Sequence, residues 1–131
     1  MSELKLAILC CHYTNEATAQ DVADIPAEVV IKRFPCSGRI EVVDILRALE
    51  EDAGAVLVAG CEKGSCHNNT GSLRAEKRVE AARKILEEIG LSPERVQMAF
   101  IPRLDTGALV EAAKRTFETL LEISAKGETS S

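Results

Sequence analysis

All five cysteines of this 131-residue chain sit at or just past the end of an apolar run. Cys61 and Cys66 lie in Gly60-Cys61-Glu62-Lys63-Gly64-Ser65-Cys66-His67, directly behind Ala55-Val56-Leu57-Val58-Ala59. Cys10 and Cys11 close Leu6-Ala7-Ile8-Leu9, and Cys36 follows Val29-Val30-Ile31-Lys32-Arg33-Phe34. A thiolate is a soft metal ligand and a strong nucleophile. Cysteines gathered from separate loops therefore have two uses: to hold a metal or cluster together, or to act singly on a substrate.

Four thiolates from different loops can bind a 2Fe–2S or a 4Fe–4S cluster, or a structural zinc. Cys61 and Cys66 form a C-x4-C, a spacing also found in plant-type ferredoxins. The common zinc spacings place two to four residues between ligands, usually in two such pairs, and neither is present. His12 and His67 adjoin cysteines, where they can ligate a metal or hydrogen-bond to sulfur or backbone. The plain alternative is that the cysteines are small buried hydrophobes. The nucleophile readings fit less well. A phosphatase-type C-x5-R loop needs arginine at 67 or 72, which are His67 and Ser72. A phosphate-binding GxxxxGK[ST] loop fails, since Gly60 to Gly64 is too short and no lysine follows. A thioredoxin-like C-x-x-C is absent, and a thiol paired with His67 has no third group to orient it.

The elements that must position these residues follow from the apolar pattern. Lys5 to Cys11 reads as a strand too uniformly apolar for a half-exposed sheet. A short helix is expected over about 16–23, capped by Asn15 and ended before Pro26. A second strand covers 29–34, and a second helix 41–51 with Val42, Ile45, Leu46 and Leu49 at helical spacing. The third strand is the run before Cys61. The longest helix is expected over 73–89, with Val79, Ala82, Ile85, Leu86 and Ile89 as its buried stripe and Gly90 as a left-handed cap. A fourth strand spans 96–101 and a fourth helix 106–125. The alternation predicts an α/β domain over 1–125: a four-stranded parallel sheet, helices on both faces, in the flavodoxin-like order 2-1-3-4. Residues 126–131 read as a flexible polar tail. Ligands in such sheets bind beyond the carboxyl ends of the strands, and those are the loops that carry cysteine.

Composition narrows the function. A chain of this length can bury about 65–70% of its unfolded surface and needs no metal or disulfide to fold. Net charge is −5 and aromatics are 3%, which argues against nucleic acid as a partner. No apolar run approaches the ~20 residues of a membrane span, and the N-terminus does not read as a signal peptide. The expected compartment is the cytoplasm, where structural disulfides are rare.

Taken together, Leu9-Cys10-Cys11-His12-Tyr13, Pro35-Cys36-Ser37-Gly38-Arg39, Gly60-Cys61-Glu62-Lys63-Gly64-Ser65-Cys66-His67 and Ala75-Glu76-Lys77-Arg78-Val79 resemble the delta subunit of methyl-viologen-reducing hydrogenase. This is an iron–sulfur family that accompanies heterodisulfide reductase in anaerobes. The resemblance runs in order from the first strand through the longest helix and more loosely beyond. It implies an electron-transfer subunit with one 2Fe–2S cluster and no substrate chemistry of its own. Electrons would pass between a hydrogenase, formate dehydrogenase or other oxidoreductase and a flavin-containing heterodisulfide-reductase-like subunit. The family usually has C-x-x-C after the first strand; here Thr14 stands in the second position. The implied ligands are then Cys11, Cys36, Cys61 and Cys66, with the choice between Cys10 and Cys11 open. Backbone N–H groups around Gly38 and Gly64 would bond to sulfur, Arg39 and Lys63 would offset the anionic cluster, with solvated surface charge an equal reading for Lys63, and His67 would adjoin it. Arg74, Lys77 and Arg78 are expected to form a docking face. The competing reading is an iron-free binding module of the same fold, its cysteines holding zinc or simply buried.

Overall fold

The structure, a computed structural model, describes residues 5–11, 25, 28–34, 40–50, 53–61, 71–101 and 106–125. For Cys11, Cys61, residues 71–74, Thr106, Ser124 and Ala125 it describes the backbone alone. The expected helix over 16–23 and the tail 126–131 lie outside the described residues. The elements are β1 (Lys5–Cys11), β2 (Glu28–Phe34), α1 (Val42–Glu50), β3 (Ala55–Cys61), α2 (Gly71–Glu88), β4 (Val96–Ile101) and α3 (Thr106–Ala125). A single 3-10 turn, Pro93–Arg95, leads into β4.

The sheet is parallel throughout, in the order β2-β1-β3-β4. β1 and β3 are central and covered on both faces, which is why their sequences are apolar without alternation. The outer strands are only partly buried, and β2 carries Glu28, Lys32 and Arg33 along its edge, charges of the kind that discourage edge-to-edge pairing.

Two cores flank the sheet. On one face Leu6, Ile8, Ala55, Leu57 and Ala59 pack against Leu109, Ala113, Phe117 and Leu120 of α3. On the other, Ala7, Leu9, Val56 and Val58 pack against Ile45 and Ala48 of α1 and Ala75, Val79, Ala82 and Leu86 of α2. The division follows from topology. Crossovers of one hand place connections that run the same way across the sheet on the same face. β2 to β3 and β3 to β4 run one way, through α1 and α2. β1 to β2 runs the other way, and Ile25 from that connection is buried in the α3 layer. Each fully buried Leu or Ile contributes about 1.5–3 kcal/mol, so the two cores provide the main stabilisation.

Expected and observed elements differ in detail. β4 and α3 have the anticipated bounds, while α2 begins two residues earlier than expected and ends at Glu88. Ile89 falls in the expected buried stripe but is 64% exposed, because it follows the last helical residue and, among the described residues, no element covers it. Ala75 extends the stripe at the other end. The helix closes in a Schellman motif: Leu91 N–H donates to the Leu86 carbonyl at 2.8 Å and Gly90 N–H to the Glu87 carbonyl at 3.2 Å. Gly90 has φ of 85°, the left-handed conformation anticipated for it.

At the amino end of the sheet, Gly54 N–H donates to the Lys5 carbonyl at 2.8 Å. The Gly54 carbonyl in turn accepts from Nη1 of Arg95 at 2.8 Å. Arg95 is 2% exposed. A buried cation of this kind is held by the hydrogen bonds it donates.

Candidate metal centre

The strand order reverses between β1 and β3, the place in an open parallel sheet where ligands bind beyond the carboxyl ends of the strands. Cys11 and Cys61 end those two strands. The register gives their relative heights. Cys10 pairs with Ala59 of β3 and Cys11 with Phe34 of β2, so Cys61 stands one residue farther along than Cys11. β2 ends at Phe34, and Cys36 follows two residues later in sequence. Neighbouring strands are about 4.7–4.9 Å apart, so the starts of three cysteine-bearing loops fall within roughly 10 Å along one edge. Cys66 is five residues beyond Cys61 and five before Gly71 of α2, a tether that spans at most about 18 Å even when extended.

The structure therefore brings together the backbones of Cys11 and Cys61 and the end of the strand that leads to Cys36. Cys36, Cys66, Gly38, Arg39, Gly64 and His67 themselves lie outside the described residues. Among the described residues no group of three or more His, Cys, Asp or Glu forms a metal site. Cys10 is 0% exposed and belongs to the α3-side core with Leu6 and Ile8.

Electrostatics at this edge favour negative charge. In a parallel sheet with antiparallel helices the amino ends of α1, α2 and α3 all lie at the carboxyl ends of the strands. Each directs the positive end of its dipole toward that edge. The first turns of α2 and α3 contain no acidic residue. Thiolates, or an anionic group bound by them, are stabilised there.

Several contacts fix the start of α1. Glu41 N–H donates to Oδ2 of Asp44 at 2.9 Å, one half of a capping box. Asp44 and Ile45 N–H groups return to the Glu41 carbonyl at 3.0 and 3.3 Å. Arg78 of α2 reaches across: Nη1 donates to the Ile40 carbonyl at 3.1 Å, and Nη2 pairs with Oε1 of Glu41 at 3.4 Å. The sequence pattern puts Arg78 on a docking face with Lys77. Lys77 is exposed, but Arg78 is engaged within the fold. The Ile40 carbonyl lies 38 residues from it in sequence, and no spacing rule reports a contact of that range.

The described fold is an α/β domain in which Cys11 and Cys61 end the two central strands of a parallel sheet. The chain belongs to the family described as methyl-viologen-reducing hydrogenase, delta subunit, whose sequence profile matches residues 6–124. It is 39% identical to the vhu iron-sulfur subunit of the F420-non-reducing hydrogenase of Methanopyrus kandleri, over 94% of this chain and 97% of that protein. The corresponding protein of Methanocaldococcus jannaschii is 37% identical over 80% of this chain and 82% of its own length. A different kind of relative is found in the ferredoxin:CoB-CoM heterodisulfide reductase of Methanosarcina mazei. One polypeptide of that enzyme is 36% identical over 73% of this chain but only 12% of its own length.

Proposed function

We propose that the chain is a cytoplasmic electron-transfer subunit carrying one 2Fe–2S cluster ligated by Cys11, Cys36, Cys61 and Cys66. The observation that carries this reading is the adjacency of the carboxyl ends of β2, β1 and β3, from which the cysteine-bearing loops leave. The donor set fits: soft thiolates suit iron–sulfur clusters. The helix amino ends at the same edge suit the negative charge of such a group. When bound, the cluster accepts and releases one electron at a time. The protein's own part is to fix the thiolates, to supply N–H donors at Gly38 and Gly64, and to offset charge with Arg39; His67 adjoins the centre. Cys10, buried one residue before Cys11, is a core residue in this reading and no ligand.

The names of the relatives support the partners. The full-length matches are hydrogenase iron-sulfur subunits, and a segment of a heterodisulfide reductase polypeptide is also similar. Electrons would enter from a flavin-containing subunit of the latter kind and leave to a hydrogenase, formate dehydrogenase or other oxidoreductase, or run in reverse.

Anaerobic purification followed by iron, acid-labile sulfide and zinc analysis tests the reading. Equal iron and sulfide, about two of each per chain, with visible absorption that bleaches on reduction, is the expected result. A colourless protein with stoichiometric zinc overturns it. Cys66→Ser should lose most of the iron, since a hard hydroxyl replaces a soft thiolate poorly.

A further inference from the structure

Arg78 joins two stretches that the sequence keeps apart. Its guanidinium holds the Ile40 carbonyl and the Glu41 carboxylate at once. Ile40 is fully buried and is the first described residue after positions 35–39, which include Cys36. Arg78 itself stands in α2, the helix that follows the loop containing Cys66. One planar fork thus links the downstream anchor of one cysteine loop to the downstream anchor of the other. The Arg78 side chain is 26% exposed, so water competes only in part for the bonds. Lysine offers a single point charge in place of two divergent donors and would not serve both acceptors in the same way.

We propose that Arg78 is a positioning residue for the candidate metal centre: it holds the start of α1, which follows the stretch bearing Cys36, against α2, which follows the stretch bearing Cys66. The inference rests on the reading of those cysteines as cluster ligands. Ligands carried by separate loops bind tightly when their anchors are already in place; otherwise ligation must also order the anchors. Groups hydrogen-bonded directly to a metal ligand typically carry about 10–100-fold in metal affinity, and Arg78, which acts through the start of α1, is expected at the lower end of that range.

The test uses the full chain, reconstituted anaerobically with ferrous iron and sulfide, as wild type, Arg78→Ala, Arg78→Lys and Arg83→Ala. Arg83 is the control. It lies on the same helix and its Nε donates to the Val96 carbonyl at 2.8 Å, but at the start of β4, the end of the sheet away from the cysteines. Iron release to a chelator, the EPR spectrum of the reduced cluster and the melting temperature of the iron-free protein are read for each. Arg78→Ala should release iron about tenfold faster than wild type or more, with a shifted EPR spectrum, and Arg78→Lys should fall between. Arg83→Ala should lower the iron-free melting temperature but keep wild-type release and spectrum. If Arg78→Ala does not fold, Arg78→Lys and Glu41→Gln carry the same comparison. Release rates that merely follow melting temperature across the set, or that match wild type at Arg78, overturn the proposal. A wild-type chain that takes up no iron overturns the cluster reading and this inference with it, and that result is seen before any variant is compared.

Discussion

Cys10 and Cys11 are adjacent and chemically identical. Cys10 is sealed in the α3-side core, while Cys11 is the last residue of β1. Cys10→Ala should cost about 1 kcal/mol, as expected for a small deletion in a packed site, and leave the iron content unchanged. Cys61→Ser should do the opposite, losing iron with little effect on the iron-free protein. Urea unfolding and iron analysis on the same preparations separate the two. Gly54 is a second position where a single atom decides the outcome. A Cβ there would stand 2.7 Å from Cδ1 and 3.1 Å from Cδ2 of Leu120, itself 1% exposed. Gly54→Ala should destabilise by about 1–3 kcal/mol through overpacking, read as a lower urea midpoint at unchanged slope.

Among the helices, α2 combines a clamp to α1 and a defined stop. Its Schellman closure needs a left-handed residue, and the space around Gly90 is open. The cost of Gly90→Ala is therefore conformational and not steric, about 1–2 kcal/mol, measurable by thermal or urea melts. The cations near the start of α2 divide by role. Arg78 secures α1, so reversing its charge would disturb the fold along with any docking. Lys77 is exposed and is the cleaner probe of a partner surface. Lys77→Glu should slow reduction by the electron-donating partner at low salt, with the difference vanishing at high salt, since rim charges act on association rate. Stopped-flow reduction across a salt series reads this out, and an unchanged low-salt rate removes that face of α2 from the interface.

As a whole the molecule is a sheet between two aliphatic cores, and neither core depends on the cysteine edge. The iron-free chain should keep its circular dichroism and a cooperative melt, at a lower temperature than the loaded form, because a ligand bound only by the native state adds its binding free energy to stability. Random-coil spectra after chelation would make the cluster a structural staple. Lys5, where the described chain begins, and the last turns of α3, where Leu120 meets Gly54, both lie at the amino edge of the sheet. Among the described residues no helix is long and apolar enough to cross a membrane.

What the amino-acid order determines by itself is whatever depends on near neighbours. β1 and β3 are legible as central strands because both faces are buried, and uniform apolarity follows. β4 and α3 are bounded by Pro102 and the periodicity around it. Gly90 announces its cap through its permissive φ. The cysteines could be placed at strand ends for the same local reason, and the alternation of elements led to the order 2-1-3-4. The tertiary structure alone decides matters that turn on residues distant in sequence. Register sets Cys11 one residue below Cys61. Arg78 and Arg95 find carbonyls 38 and 41 residues away, and an arginine looks the same in a sequence whether it meets solvent or a buried carbonyl. Ile89 is left uncovered because exposure depends on what another element brings near, and helical spacing says only which side of its own helix a residue occupies.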